Sequence, residues 1–243
     1  MNRRHAFAGL LLAALAAFAV TVKAEETTLL LRQPALSKDH LAFVYAGDIW
    51  IADWSGRDAR RLTSHPAEEN SPVFSPDGRY IAFAADYEDN TDVYVVPVAG
   101  GQPRRLTWHP GTDRPQGWSA DGREVAFVSA RETDHGRSGQ LFHVSLDGGP
   151  PVKQMEARIV QGSYSAAGEL AYIAFVSGYN GLFGGGAGWK GYRGGTTPAV
   201  NILSADSETV RVIPGAGATN FNPFWLGGEV YFVSDREDKV FNL

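Results

Sequence analysis

The chain contains no cysteine among its 243 residues, so no disulfide can staple it and its stability must come from burial and strand pairing. It also lacks a Gly-x-Ser-x-Gly elbow that would hold a nucleophile. Its six histidines, His5, His40, His65, His109, His135 and His143, are scattered, with no pair at metal-ligand spacing on one element. No catalytic triad is visible, and no cofactor or metal is expected. A basic excess is missing too: 22 Lys and Arg stand against 27 Asp and Glu, for a net charge of -5. That balance argues against nucleic acid as a partner.

Residues 1–24 are set apart by a basic start at Arg3-Arg4, an apolar run from Ala6 to Val22 and the small-residue exit Val22-Lys23-Ala24. The run is short for a membrane span, rich in alanine and followed by Glu25-Glu26, so it reads as a cleaved signal peptide rather than an anchor. Its removal takes away three basic groups and no acidic one, leaving -8 on residues 25–243. A periplasmic protein, free of the membrane after cleavage, is the expectation; an unused signal would leave it cytoplasmic.

What the rest of the chain has in quantity is a repeated phrase. Phe74-Ser75-Pro76-Asp77-Gly78-Arg79-Tyr80-Ile81-Ala82-Phe83 returns as Trp118-Ser119-Ala120-Asp121-Gly122-Arg123-Glu124-Val125-Ala126-Phe127. An earlier copy is Leu36-Ser37-Lys38-Asp39-His40-Leu41-Ala42-Phe43, and a later one is Gly168-Glu169-Leu170-Ala171-Tyr172. The serines Ser37, Ser75, Ser119 and Ser165 are spaced by 38, 44 and 46 residues, the period of a four-stranded propeller blade. Pro-Asp-Gly between two apolar stretches encodes a hairpin, because Pro presets φ, Asp bonds nearby amides and Gly accepts positive φ.

The predicted fold is therefore all-β: a β-propeller of four-stranded antiparallel blades. In the second repeat, strands are predicted at Ser71–Phe74, Tyr80–Ala84, Asp92–Val98 and Gln102–Leu106. A fourth repeat has a strand at 199–203 after a glycine-rich insertion, 178–195, and a fifth has one at 229–233 before the chain stops. The propeller is thus expected to be incomplete, with about four and a half blades, and Thr27–Leu31 is a candidate strand for the last one.

The pairs Arg60-Arg61 and Arg104-Arg105 lie 44 residues apart and read as exposed outer-strand positions that guard an edge. His65 and His109 recur two residues after Leu-Thr and just before Pro, a pattern of loop-structuring residues rather than ligands. The acidic stretch Asp86–Asp92 lacks the spacing and glycine of a calcium loop and reads as a solvated hairpin tip. Gly186–Gly191 matches a dinucleotide pattern without β-α-β context and is rejected as a nucleotide site.

The insertion concentrates aromatic and basic groups on glycine-rich backbone, in Trp189-Lys190-Gly191-Tyr192-Arg193-Gly194-Gly195-Thr196. With the exported start and the repeats, this segment resembles the first propeller of the tricorn proteases, and the resemblance covers essentially the whole mature chain. The family implies a large serine peptidase with a six-bladed propeller, a seven-bladed one, a PDZ-like module and a catalytic core, assembled as a hexamer. Residues 25–243 then correspond to the N-terminal propeller, truncated, and Trp189, Lys190, Tyr192, Arg193, Gly194 and Gly195 form the family-motif loop. The catalytic Ser and His lie in the core, so no catalytic residue falls on this chain.

The resemblance also implies a basic pair in the first propeller that anchors a substrate's C-terminal carboxylate, and a channel from the active site. Here the matching region, Trp108 to Gly117, offers Arg114 as the substrate-binding candidate without an adjacent second arginine, and an exposed loop position is its default reading. The implied function is a non-catalytic propeller of an exported tricorn-like peptidase, shaping passage of oligopeptide substrate or product. The competing reading, from the same repeats, is a Tol-like periplasmic propeller that binds protein partners without enzymatic activity.

Overall fold

The computed structural model describes residues 30–133, 139–174, 197–214, 217–226, 228–237 and 242. Every regular element among them is a β-strand. The signal-like segment 1–24 and the family-motif loop with Trp189, Lys190, Tyr192, Arg193, Gly194 and Gly195 lie outside the described residues.

The first blade is β1 (Arg32–Leu36), β2 (His40–Tyr45), β3 (Asp48–Asp53) and β4 (Arg60–Arg61), hydrogen-bonded in that order. The second repeats the plan with β5 (Glu69–Phe74), β6 (Tyr80–Ala85), β7 (Asp92–Pro97) and β8 (Arg104–Arg105). Then come β9 (Asp113–Trp118), β10 (Glu124–Ser129), β11 (Gly139–Ser145) and the 13-residue β12 (Val152–Tyr164). The start of β12 closes the third blade against β11, and its end opens the fourth against β13 (Leu170–Ala174). The fourth blade continues through β14 (Val200–Leu203) and β15 (Val210–Val212), so two blades read as one seven-stranded sheet. A fifth begins with the hairpin β16 (Asn220–Leu226) and β17 (Glu229–Ser234). Among the described residues all pairings are antiparallel and no sheet closes on itself.

The predicted strands fall where expected, with ends shifted by a residue or two. Of the candidate strand Thr27–Leu31, Leu30 and Leu31 are irregular and precede β1, which joins the first blade, and residues 27–29 lie outside the described residues.

Successive residues of a strand point to opposite faces, and here both faces are buried. Ile81, Phe83 and Ala85 of β6 pack toward the first blade, while Ala82 packs toward the third. Likewise Val125 and Phe127 of β10 face the second blade and Ala126 the fourth. The alanine of each repeated phrase is thus the small partner that lets the next blade's large side chains approach, as close packing of stacked sheets demands.

The phrase itself is a turn. Ser75 Oγ donates to Asp77 Oδ1 at 2.7 Å, Arg79 N–H donates to Asp77 Oδ1 at 3.0 Å, and Tyr80 N–H donates to Ser75 Oγ at 3.0 Å. Gly78 and Gly122 both sit at φ +70°, a left-handed conformation that favours glycine. The same turn appears at Ser204-Ala205-Asp206-Ser207, between β14 and β15 instead of before β6's counterpart.

Candidate functional site

Antiparallel order places the repeated turns at one end of the blades. The starts of the inner strands β1, β5, β9 and β16 therefore gather at the other end, together with the loops carrying His65 and His109. The inner strands are sequential neighbours, β1 beside β5, β5 beside β9, β9 beside β12 and β12 beside β16. β13 ends and β14 begins at this same end.

Here β1, β5 and β9 enclose a cleft of about 320 Å³. Arg32 and Gln33 come from β1, Asn70, Ser71 and the preceding Glu68 from β5's start, and Arg114 from β9, with Val44 and Glu69 completing the wall. Arg114 is exposed, and it lies in a strand opposite Val128 rather than in a loop. Among the described residues no carboxylate is within ion-pair distance of it. Arg32, 82 positions earlier, lines the same cleft. Arg32 holds Glu68 only loosely, at 4.0 Å with both side chains exposed.

The cleft wall is fixed by strand bulges in front of proline. Gln33 and Ser71 adopt φ of +50° and +55° before Pro34 and Pro72, and Ser71 N–H donates to Gln33 Oε1 at 2.7 Å. Non-glycine residues in this region are strained. The device recurs between other blades: Gly162 N–H donates to Gln116 Oε1 at 3.0 Å, and Asn222 N–H, before Pro223, to Gln161 Oε1 at 2.9 Å.

Beneath this rim lies a layer of buried charge that repeats every 44 residues: Asp48 and Asp92, Arg61 and Arg105, Thr63 and Thr107, His65 and His109, Glu69 and Asp113. Arg61 reaches Asp48 at 2.7 Å, and Arg105 reaches the fully buried Asp92 at 2.5 Å and also Glu88. Arg60, Arg61 and Arg104 are exposed, as expected of edge positions, and the expectation is corrected only at Arg105, which turns in over Asp92 and keeps 14% of its side-chain exposure. Of the stretch Asp86–Asp92, Asp86, Glu88 and Asp89 are exposed at the tip between β6 and β7 as expected, and only Asp92, the first residue of β7, departs from a solvated tip. Asp92 is sealed under Arg105 and Thr107, and Asn90 Nδ2 donates to Asp92 Oδ2 at 2.6 Å and to His109 O at 2.7 Å.

His65 and His109 do order loops, as their Nδ1 atoms accept from Ala67 N–H at 3.1 Å and Gly111 N–H at 2.9 Å. Glu69 accepts from Ile49 N–H at 2.9 Å and bonds Thr63 and Tyr87, yet burial holds its carboxyl above the ordinary range. Burial likewise raises Asp113 although Arg131 pairs with it at 2.7 Å. His143 ties the third and fourth blades, with Nδ1 at 2.9 Å from Glu124 and Nε2 at 3.0 Å from the Tyr164 hydroxyl; its burial lowers its pKa.

Asp113 and Arg131 belong to a pattern that sequence reading passed over. Phe127-Val128-Ser129-Ala130-Arg131-Glu132 is repeated as Phe232-Val233-Ser234-Asp235-Arg236-Glu237. In both, Arg Nε donates to the serine Oγ and the guanidinium stacks on the phenylalanine, at 5.1 Å for Arg131 and 4.8 Å for Arg236. The signal was present as Phe-Val-Ser-x-Arg-Glu, but the copies are 105 residues apart and skip a blade.

The family model of the tricorn protease N-terminal beta propeller domain matches residues 28–243. The chain belongs to that family. Tricorn protease homolog 1 of Streptomyces coelicolor is 34% identical over 211 residues, covering 85% of this chain and 19% of that protein. The chain thus spans about one-fifth of the length of that relative. Among solved structures, the tricorn protease has a TM-score of 0.70 at 23% identity, covering 87% of this chain and 21% of the other. TolB from Acinetobacter baumannii has a TM-score of 0.60 at 19% identity, covering 87% and 53%. These two structural likenesses concern the fold alone. In this tricorn-type propeller the cleft sits where three consecutive blades present their inner strands to the axis.

Proposed function

We propose that this propeller is the non-catalytic front of an exported tricorn-like serine peptidase, and that its inner-strand cleft guides oligopeptide substrate or product by holding a peptide carboxylate. The observation that carries the reading is the convergence of Arg32 and Arg114, from separate blades, on one cleft. A guanidinium presents paired donors that match a carboxylate's two oxygens. Among the described residues Arg114 has no carboxylate partner to displace, and Asn70 and Ser71 offer neutral polar groups to peptide amides.

β13 and β14, whose end and start flank the stretch with Trp189, Lys190, Tyr192, Arg193, Gly194 and Gly195, meet at the cleft's end of the blades. In this reading that stretch contributes to peptide recognition, the chain works in the periplasm after loss of residues 1–24, and the parent protein is a homo-oligomer. Hydrolysis falls to catalytic domains outside this sequence. The Tol-like reading is supported by the shared propeller fold, but the family match over 28–243 favours the peptidase.

Binding of short peptides with free and amidated C-termini to the purified chain tests the reading. Arg114→Met is expected to weaken the free-acid peptide by about tenfold, the scale of one charge-assisted hydrogen bond, and to leave the amide unchanged. Equal binding of acid and amide by the unmodified chain would sink it.

A further inference from the structure

We infer that the cleft also recognises a free α-ammonium group, through Glu68, so that its preferred ligands are short unblocked peptides of about two residues. This rests on Arg114 as the partner of the ligand's carboxylate.

The cleft is bipolar. Arg114 and Arg32 supply positive charge, while Glu68 is its exposed carboxylate. Glu69, next in sequence, cannot serve: its oxygens are committed to Ile49 N–H, Thr63 and Tyr87, and the residue is 1% exposed. Glu68 is 79% exposed, and its only ion pair among the described residues is the 4.0 Å contact to Arg32. That contact is long for a charge-assisted hydrogen bond, so an ammonium group can replace it.

Arg114 stands on β9 of the third blade and Glu68 at the start of β5 in the second, whose bulged path is tied to β1 by the Gln33–Ser71 clasp. Opposite charges fixed on a rigid frame select a ligand with matching charges at its two ends. A zwitterionic peptide has them. The cavity of about 320 Å³ lies at the small end of ligand sites, and two extended residues span about 7 Å. Asn70 and Ser71 line the same cleft and offer polar side chains to a peptide bond.

The test is calorimetric titration of the purified 243-residue chain with alanyl-phenylalanine, its N-acetyl form and its C-terminal amide. The expected result is that acetylation weakens binding by about fivefold, the scale of an exposed ion pair. Glu68→Gln is expected to bind free and acetylated peptides alike while still rejecting the amide. Glu68 is a surface side chain, so this variant keeps the fold, and an unchanged thermal midpoint checks it. Equal affinity of free and acetylated peptides, with the amide still rejected, overturns the role of Glu68 and leaves the carboxylate reading standing. An amide that binds as well as the free acid overturns both, as does the absence of binding by all three.

Discussion

At the residue scale, the repeated Ser-x-Asp-Gly phrase is a self-contained electrostatic unit. The Ser75 hydroxyl, the Arg79 amide and the Arg79 guanidinium all favour ionised Asp77, and the serine bond is foremost in lowering its pKa from 3.8 to about 2. A depressed carboxyl pKa stabilises the fold above the unfolded value and ceases to do so as pH falls through the folded one. The Asp77 contribution is therefore complete above about 3.8 and disappears toward about 2. Asp77→Asn is expected to flatten the acid limb of the thermal midpoint against pH in that interval, leaving the slope between pH 5 and 7 unchanged. An identical acid limb in the variant would show that the turn does not hold its proton affinity in this way. This unit was readable in sequence because all its partners lie within five residues.

At the element scale, what joins one strand to the next is less local. Arg60 and Arg61 looked interchangeable, as did Arg104 and Arg105, because alternation tells that neighbours face opposite ways but not which face is covered. The sheet settles it: Arg105 retains 14% of its side-chain exposure over an Asp92 with none, whereas Arg61 keeps 45% over Asp48. Removing one partner of a buried pair strands the other, at a cost of about 3–5 kcal/mol. Arg105→Ala is thus expected to lower the unfolding free energy by about 3 kcal/mol, and Arg61→Ala by about 1 kcal/mol or less. Urea unfolding of the two variants compares them, and equal losses would contradict the difference in burial. Arg114 shows the same limit. Its strand was short and interrupted by Pro115, so sequence placed it in a loop, while pairing with β10 makes it part of β9.

At the scale of the whole molecule, each hydrophobic cluster lies between two blades rather than within one. The first and fifth blades also carry apolar side chains in water. Leu30 and Leu31 before β1 are 70% and 51% exposed, and Phe224 and Leu226 on β16 are 39% and 62% exposed. The purified chain is expected to associate with increasing concentration through such surfaces. Replacing Phe224 and Leu226 together by Lys should shift sedimentation profiles toward the monomer, and a concentration-independent monomer in the unmodified chain would refute this. The sequence by itself determined the all-β architecture, the period of the blades and the turns between their strands, since all three are written in contacts of short range. It also carried the family resemblance. Only the tertiary structure decided which charges are buried and that Arg32 and Arg114 line one cleft. Those outcomes depend on blades packing side by side, which brings residues 82 positions apart to the same cleft, and no local pattern of side chains encodes that meeting.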